Sequence, residues 1–195
     1  FPAIYFNGSI SRDLIQSIEQ WGLIEWQSME NAFRGCSNVI LNAIDVPNLV
    51  NVTSMHGMFS KAIIFNDDLT DWDVSTVTNM SYMFFDSVAF NGDISTWNTS
   101  SVTDMARMFH GAASFNGDLS NWNVSAVSDM RGIFAYATAF NSDLSNWDIG
   151  AVAEMQRMFY QASSFNADLT SWDVSNVIDH SDFATGSSAI EPNWP

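Results

Sequence analysis

Cysteine is almost missing from this chain: Cys36 is the only one in 195 residues, so no disulfide can form within it. That removes the usual staple of a small secreted domain, although a long repeat array does not need one. Basic residues are scarce too. Six Lys and Arg stand against 22 Asp and Glu, giving a formal charge of −16 and a pI near 4.1. Such a chain repels nucleic acid and anionic membrane. It suits a basic partner, divalent cations or a salty extracellular medium, or it serves solubility alone. No apolar run approaches the ~18 residues that a membrane span needs. No signal peptide is visible, and the start at Phe1-Pro2 fits a processed terminus or a trimmed chain. Gly-x-Ser-x-Gly, Walker and His-Glu-x-x-His motifs are all absent, so no catalytic residue is named and no enzyme is expected. His56, His110 and His180 fall at different places in the repeat described next, which argues against a shared zinc site.

What the chain does have is a period. The Phe-Asn pair stands at 65–66, 90–91, 115–116, 140–141 and 165–166, and tryptophan at 72, 97, 122, 147 and 172. Both series step by 25 residues without an insertion. A fixed period in this range marks units that bury their apolar faces only by stacking on neighbours, the pattern of a solenoid. The organisation read from it is a cap over 1–28, a repeat array over 29–180 and a C-terminal cap or tail over 181–195. Within the array, 29–52 is a divergent first coil and 53–177 is regular.

Inside the cap, Ile10, Leu14, Ile15, Ile18 and Trp21 recur at helical spacing, with Ser11 as a start and Gly22 as a stop. The expectation is an amphipathic helix lying over the first coil. Each regular unit opens with Met-x-x-Met-Phe or a variant, as in Met80/Met83/Phe84 and Met105/Met108/Phe109. That spacing predicts one inward face of a short helix, with Thr53, Thr78, Thr103 or Ser128 before it as N-cap. The second half of each unit, Phe-Asn-x-Asp-Leu-Ser-x-Trp-x-Val, predicts one or two short parallel strands.

Taken together, the unit Phe-Asn-x-Asp-Leu-Ser-x-Trp-x-Val-Ser-x-Val-Thr-x-Met-x-x-Met-Phe resembles the bacterial surface-protein 26-residue repeat. That repeat belongs to the BspA-like group of leucine-rich repeats, found in mycoplasma and Listeria surface lipoproteins. The resemblance covers about residues 29–180. It implies an α/β repeat fold: a right-handed leucine-rich-repeat-like solenoid of short helix plus short parallel strands. It also implies surface or secreted placement, and binding in place of catalysis. Two departures are plain: the step is 25, and no lipidation cysteine stands at the N-terminus.

Candidate chemistry follows the ladders. Asn66, Asn91, Asn116, Asn141 and Asn166 suit a structural role, because an amide both donates and accepts at a tight bend. Asp68, Asp93, Asp118, Asp143 and Asp168 would repel one another unless neutralised. Either each accepts its own downstream N–H groups in a turn, or a line of Ca²⁺ ions sits between coils, and the turn is the preferred reading. No other cofactor is expected. The Trp series reads as a buried stack, with an exposed sugar platform as the alternative. The Ser and Thr at 70, 95, 120, 145 and 170 read as a solvated edge, with a glycan- or ice-binding face as the alternative.

Positions that change between repeats are the more telling. Lys61, Tyr82, Phe85, Arg107, His110, Arg131, Tyr136, Arg157 and Tyr160 fall in or beside the Met-Met-Phe segments. They place a basic and aromatic side on an acidic protein, the composition of an interface. Asn7 and Asn51 begin sequons and are the glycosylation candidates. The resulting expectation is an extracellular or cell-surface protein-binding module with a protein partner, no nucleic acid and no direct membrane insertion. A structural subunit of a larger assembly or filament is the alternative.

Overall fold

The computed structural model describes residues 3–4 and 10–195; the turn expected at Asn7-Gly8-Ser9 and the Asn7 sequon lie outside them. The 25-residue step becomes register. Ser54, Asn79, Asp104, Asp129, Glu154 and Asp179 form a chain of isolated parallel bridges, each to the equivalent residue of the next unit. Successive units therefore lie one on another, and identical side chains meet identical side chains. Phe59, Phe84, Phe109, Phe134 and Phe159 stand 5.6 to 5.9 Å apart in one column of near-parallel rings. Phe65, Phe90, Phe115, Phe140 and Phe165 make a second column at 5.6 to 6.0 Å. Within a unit the two columns touch, with centroids 3.8 to 4.0 Å apart. The methionines, valines and tryptophans of the repeat fill the rest of this core.

The α/β leucine-rich-repeat-like solenoid with its capping helix is not what forms. Among the described residues there is no α-helix, and the regular elements are a 3-10 helix over Ile10–Leu14 and two strands, β1 (Ser17–Ile18) and β2 (Ile40–Leu41). The rest is turn and coil. Four expectations fall with this finding: the α/β class, the N-terminal capping helix, the short helix in every unit and the short parallel strands in its second half.

The reasons are local. An α-helix needs every N–H to bond four residues back and every φ near −60°. In the Met-Met-Phe segments alternate N–H groups instead cross to the next unit: Arg107 donates to the Arg131 carbonyl at 2.9 Å, Phe109 to Ile133 at 2.9 Å, Gly111 to Ala135 at 2.8 Å. The residues between them close tight turns three residues back, as Met108 to Met105 at 3.1 Å and Ala112 to Phe109 at 3.0 Å. Every fourth residue is left-handed, Arg107 at φ 55° and Gly111 at φ 71° in this unit. The i, i+3, i+4 spacing of the apolar residues is thus met by a ribbon of turns. At the N-terminus the chain is drawn into pairing: β1 and β2 run parallel, with Ile40 donating to the Gln16 carbonyl at 3.1 Å. Leu14, expected to face inward, is exposed, while Trp21 is buried edge-on against Trp26, Phe33 and Trp72.

At the other end the chain folds back over the last unit. Ser188 and Ile190 donate to the Phe165 and Ala167 carbonyls at 2.9 Å, and Trp194 stacks on His180 at 4.1 Å.

Side-chain carboxylates and amides do much of the joining where regular strands are missing. The Asn ladder is continuous: each of Asn91, Asn116, Asn141 and Asn166 donates its backbone N–H to the amide oxygen of the Asn one unit earlier, at 2.6 to 3.1 Å. Asp93, Asp118, Asp143 and Asp168 each accept the N–H of the residue two positions on, at 2.8 to 3.0 Å. Asp73 and Asp173 do the same for Ser75 and Ser175. The six carboxyls lie below their ordinary value of 3.8: for Asp93, Asp118 and Asp143 the largest cause is the backbone N–H of Ser95, Ser120 and Ser145, then their hydroxyls, and for Asp73, Asp168 and Asp173 the hydroxyl of Ser75, Thr170 and Ser175 comes first, then the backbone N–H. A carboxyl with a lowered folded-state pKa stabilises the fold above its unfolded value, and that stability is lost as pH falls through the folded value. The melting temperature is therefore expected to fall progressively as the pH drops below about 4, read by circular dichroism. A rise on acidification would mean instead that relief of the −16 self-repulsion dominates.

Candidate partner-binding face

The turn ribbon decides which side chains look outward. In the unit 103–127, Met105, Met108, Phe109 and Ala112 are buried, while Arg107 is exposed and His110 half-buried. Because units stack in register, outward positions from neighbouring units come together. His56 lies 5.4 Å from Tyr82, Tyr82 5.5 Å from Phe85, and Phe85 stacks on His110 at 4.8 Å. His110 then meets Tyr136 edge-on at 5.4 Å, and Tyr136 meets Tyr160 at 5.4 Å. One line of rings so runs across five units. The guanidinium of Arg107 lies over Tyr82 at 5.6 Å and donates to its hydroxyl at 2.9 Å; that of Arg157 lies over Tyr160 at 5.5 Å.

Eight of the nine residues expected at a partner surface meet on this face. Lys61 is exposed in the same unit as His56 but outside both cavities of the face. A cavity of about 240 Å³ opens among Arg107, Arg131, Arg157, His110, Tyr136 and Tyr160. A second, of about 410 Å³, lies next to it and shares Arg107 and Arg131, but Asp104 and Asp129 also line it. Arg131 forms a bidentate pair with Asp129, and Arg157 bonds Asp182 at 3.1 Å. Burial lowers the His110 pKa from its ordinary 6.5, against the pull of Asp86, so the ring is neutral at neutral pH.

Gln156 belongs to the face and was missed by sequence reasoning. It lines the smaller cavity, and its Oε1 is buried with no hydrogen-bond partner. The signal was available, because Gln156 stands in the same register as His56, Ser81, Ala106 and Arg131, a position that changes in every unit.

The remaining candidates lie elsewhere. Asn51 is exposed on a turn. Asp68, Asp93, Asp118, Asp143 and Asp168 are exposed along another edge, with Asp68 accepting the Asp93 N–H at 2.9 Å. Among the described residues no three His, Cys, Asp or Glu side chains converge as metal ligands. The five repeat tryptophans are at most 7 % exposed, and Trp97, Trp122 and Trp147 donate to carbonyls of the previous unit, so they offer no sugar platform. Burial pushes the Cys36 thiol up to about 11, which keeps it protonated and unreactive at neutral pH. Among the described residues no helix is long and apolar enough to cross a membrane.

No match to a curated protein or to a solved structure was found. A family model matches twice in tandem, over residues 27–130 and 92–194, as it would on a repeat protein. Its description is "Mycoplasma protein of unknown function, DUF285", and the chain belongs to that family.

Proposed function

We propose that this protein is a non-enzymatic binding module acting outside the cell or at its surface, and that it holds a protein partner along the ring-and-arginine face. The observation that carries the reading is where those side chains sit. Lys61, Tyr82, Arg107, Tyr136 and Arg157 occupy left-handed backbone positions, at φ 55° to 62°. Glycine takes the equivalent place in other units of the same two registers, at 57 and 132 in one and at 111 and 186 in the other. Glycine adopts this conformation freely, whereas any other residue there costs about 1 kcal/mol or more. Large basic and aromatic side chains are kept at positions where the backbone favours none, which is the mark of a functional constraint. The resemblance of this repeat to the bacterial surface-protein repeat supports the surface placement, and a basic and aromatic face on an acidic protein supports a partner-facing side.

The test is binding to an array of secreted and cell-surface proteins, comparing the native chain with the triple variant Arg107→Glu, Arg131→Glu, Arg157→Glu. The expected result is a saturable hit that weakens by about tenfold or more in the variant, whose folded state is checked by circular dichroism. A hit indifferent to the triple change would move the interface off this face. No saturable hit at all would defeat the binding reading.

A further inference from the structure

We infer that the smaller cavity is a carboxylate pocket that takes an acidic side chain of the protein partner, an inference that rests on the face being a protein-binding surface. Its lining carries Arg107, Arg131 and Arg157 and no acidic residue, in a chain of 22 acids and six bases. Asp129 and Asp182 stand outside the lining and brace Arg131 and Arg157. Arg107 has no carboxylate partner among the described residues; its guanidinium donates to the Tyr82 hydroxyl and retains unused donors.

Two further groups in the cavity are unspent. His110 and Gln156 both line it, and His110 Nδ1 and Gln156 Oε1 are buried without a hydrogen-bond partner. Leaving a buried polar atom unpaired costs about 1–3 kcal/mol, so such atoms mark a place completed by something else. The Gln156 amide turns to present its NH₂, and neutral His110 donates from either ring nitrogen, so both serve a carboxylate as donors. A planar carboxylate is the group that an arginine fork matches with two parallel bonds. The volume of about 240 Å³ holds one side chain and leaves no room for an extended glycan. The −16 charge of the whole molecule repels an acidic surface at long range, so the acid is a single anchor on an otherwise neutral or basic partner.

The test is a titration of the ¹⁵N-labelled full chain with N-acetylglutamate N-methylamide, its glutamine counterpart and glucuronic acid. The expected result is saturable shifts at the Arg107, Gly132 and Gln156 amides with the glutamate compound, about tenfold weaker with the glutamine compound. Arg107→Gln is expected to abolish the shifts without lowering the melting temperature, and Arg107→Lys to restore them in part. Equal response to glutamate and glutamine would overturn the pocket, as would no response to either. Saturation by glucuronic acid alone would reassign the pocket to an acidic sugar and overturn the peptide claim. Loss of these shifts with an array hit intact would sink the pocket and spare the binding reading; the reverse pattern would do the opposite.

Discussion

Phe109→Ala is expected to lower the folding stability by about 3–5 kcal/mol, the usual loss for a fully buried aromatic ring. Phe109 is 0 % exposed at the middle of the column. It faces Phe84 at 5.6 Å and Phe134 at 5.7 Å, touches Phe115 at 4.0 Å and leans on Trp122 at 6.3 Å. A unit of this kind has no core of its own and is stable only through its two neighbours. Removing the ring opens both contacts at once, and a domain with about 5–15 kcal/mol in hand loses much of it. The same change at Phe183 is expected to cost less. That ring meets Phe159 and Trp194 edge-on and stands outside the parallel column. Urea denaturation of both variants reads the difference. A loss below about 1 kcal/mol at Phe109 would mean that the column closes over the gap, contrary to a tightly registered stack.

The period and its consequences were legible in the sequence. An uninterrupted 25-residue step of Phe, Trp, Val and Met at fixed places can bury those residues only by stacking like on like, and they are the residues that form the core. The ribbon was not legible from the apolar spacing alone. Met, Met and Phe at i, i+3 and i+4 serve a helix and a chain of tight turns equally, because both return to the same face about every three to four residues. The discriminating signal was the company glycine keeps. One register reads Gly57, Tyr82, Arg107, Gly132, Arg157, Asp182; another reads Lys61, Asp86, Gly111, Tyr136, Gln161, Gly186. All twelve are left-handed, and glycine scattered through a column of unrelated polar residues is what a left-handed ladder looks like in one sequence. A residue in that conformation belongs to neither an α-helix nor a strand. The candidate face was legible as variable positions, but its cavity was not. Arg107, Arg131, Arg157 and Gln156 meet only because the ribbon turns them outward on neighbouring units. The N-terminal helix failed for a different reason: Ile18 and Trp21 are buried as expected, but by strand pairing and ring packing, which an apolar pattern of five residues does not reveal.

Gly92→Ala should separate steric register from general tolerance at the opposite edge of the column. The position is held by Asp67, Gly92, Gly117, Ser142 and Ala167 in successive units, so side chains are admitted elsewhere in it. At Gly92 the room is gone. An added Cβ would press into the Asp67 carbonyl oxygen, with the carbonyl carbon only 2.8 Å away and the Phe90 ring at 3.1 Å. The obstacle is backbone, which cannot swing aside as a side chain does. The two units are tied together on either side of it: Asn91 donates to the Asn66 amide oxygen at 2.6 Å, Asp93 to the Asp68 carboxylate at 2.9 Å, and Leu69 to the Asp93 carbonyl at 2.9 Å. Parting the units breaks one or more of these bonds, each worth about 1 kcal/mol, and adds overpacking strain of about 1–3 kcal/mol. The expected loss is therefore about 2–4 kcal/mol in urea denaturation. Gly150→Ala is the matched control. A Cβ there meets only the Asp148 carboxylate oxygen at 3.4 Å, and the change is expected to stay within about 1 kcal/mol of the native chain. Equal midpoints for the two variants would show that neighbouring units part freely at Gly92, and the Asn and Asp ladders would then be ornaments of the stack, with the aromatic columns alone setting its register.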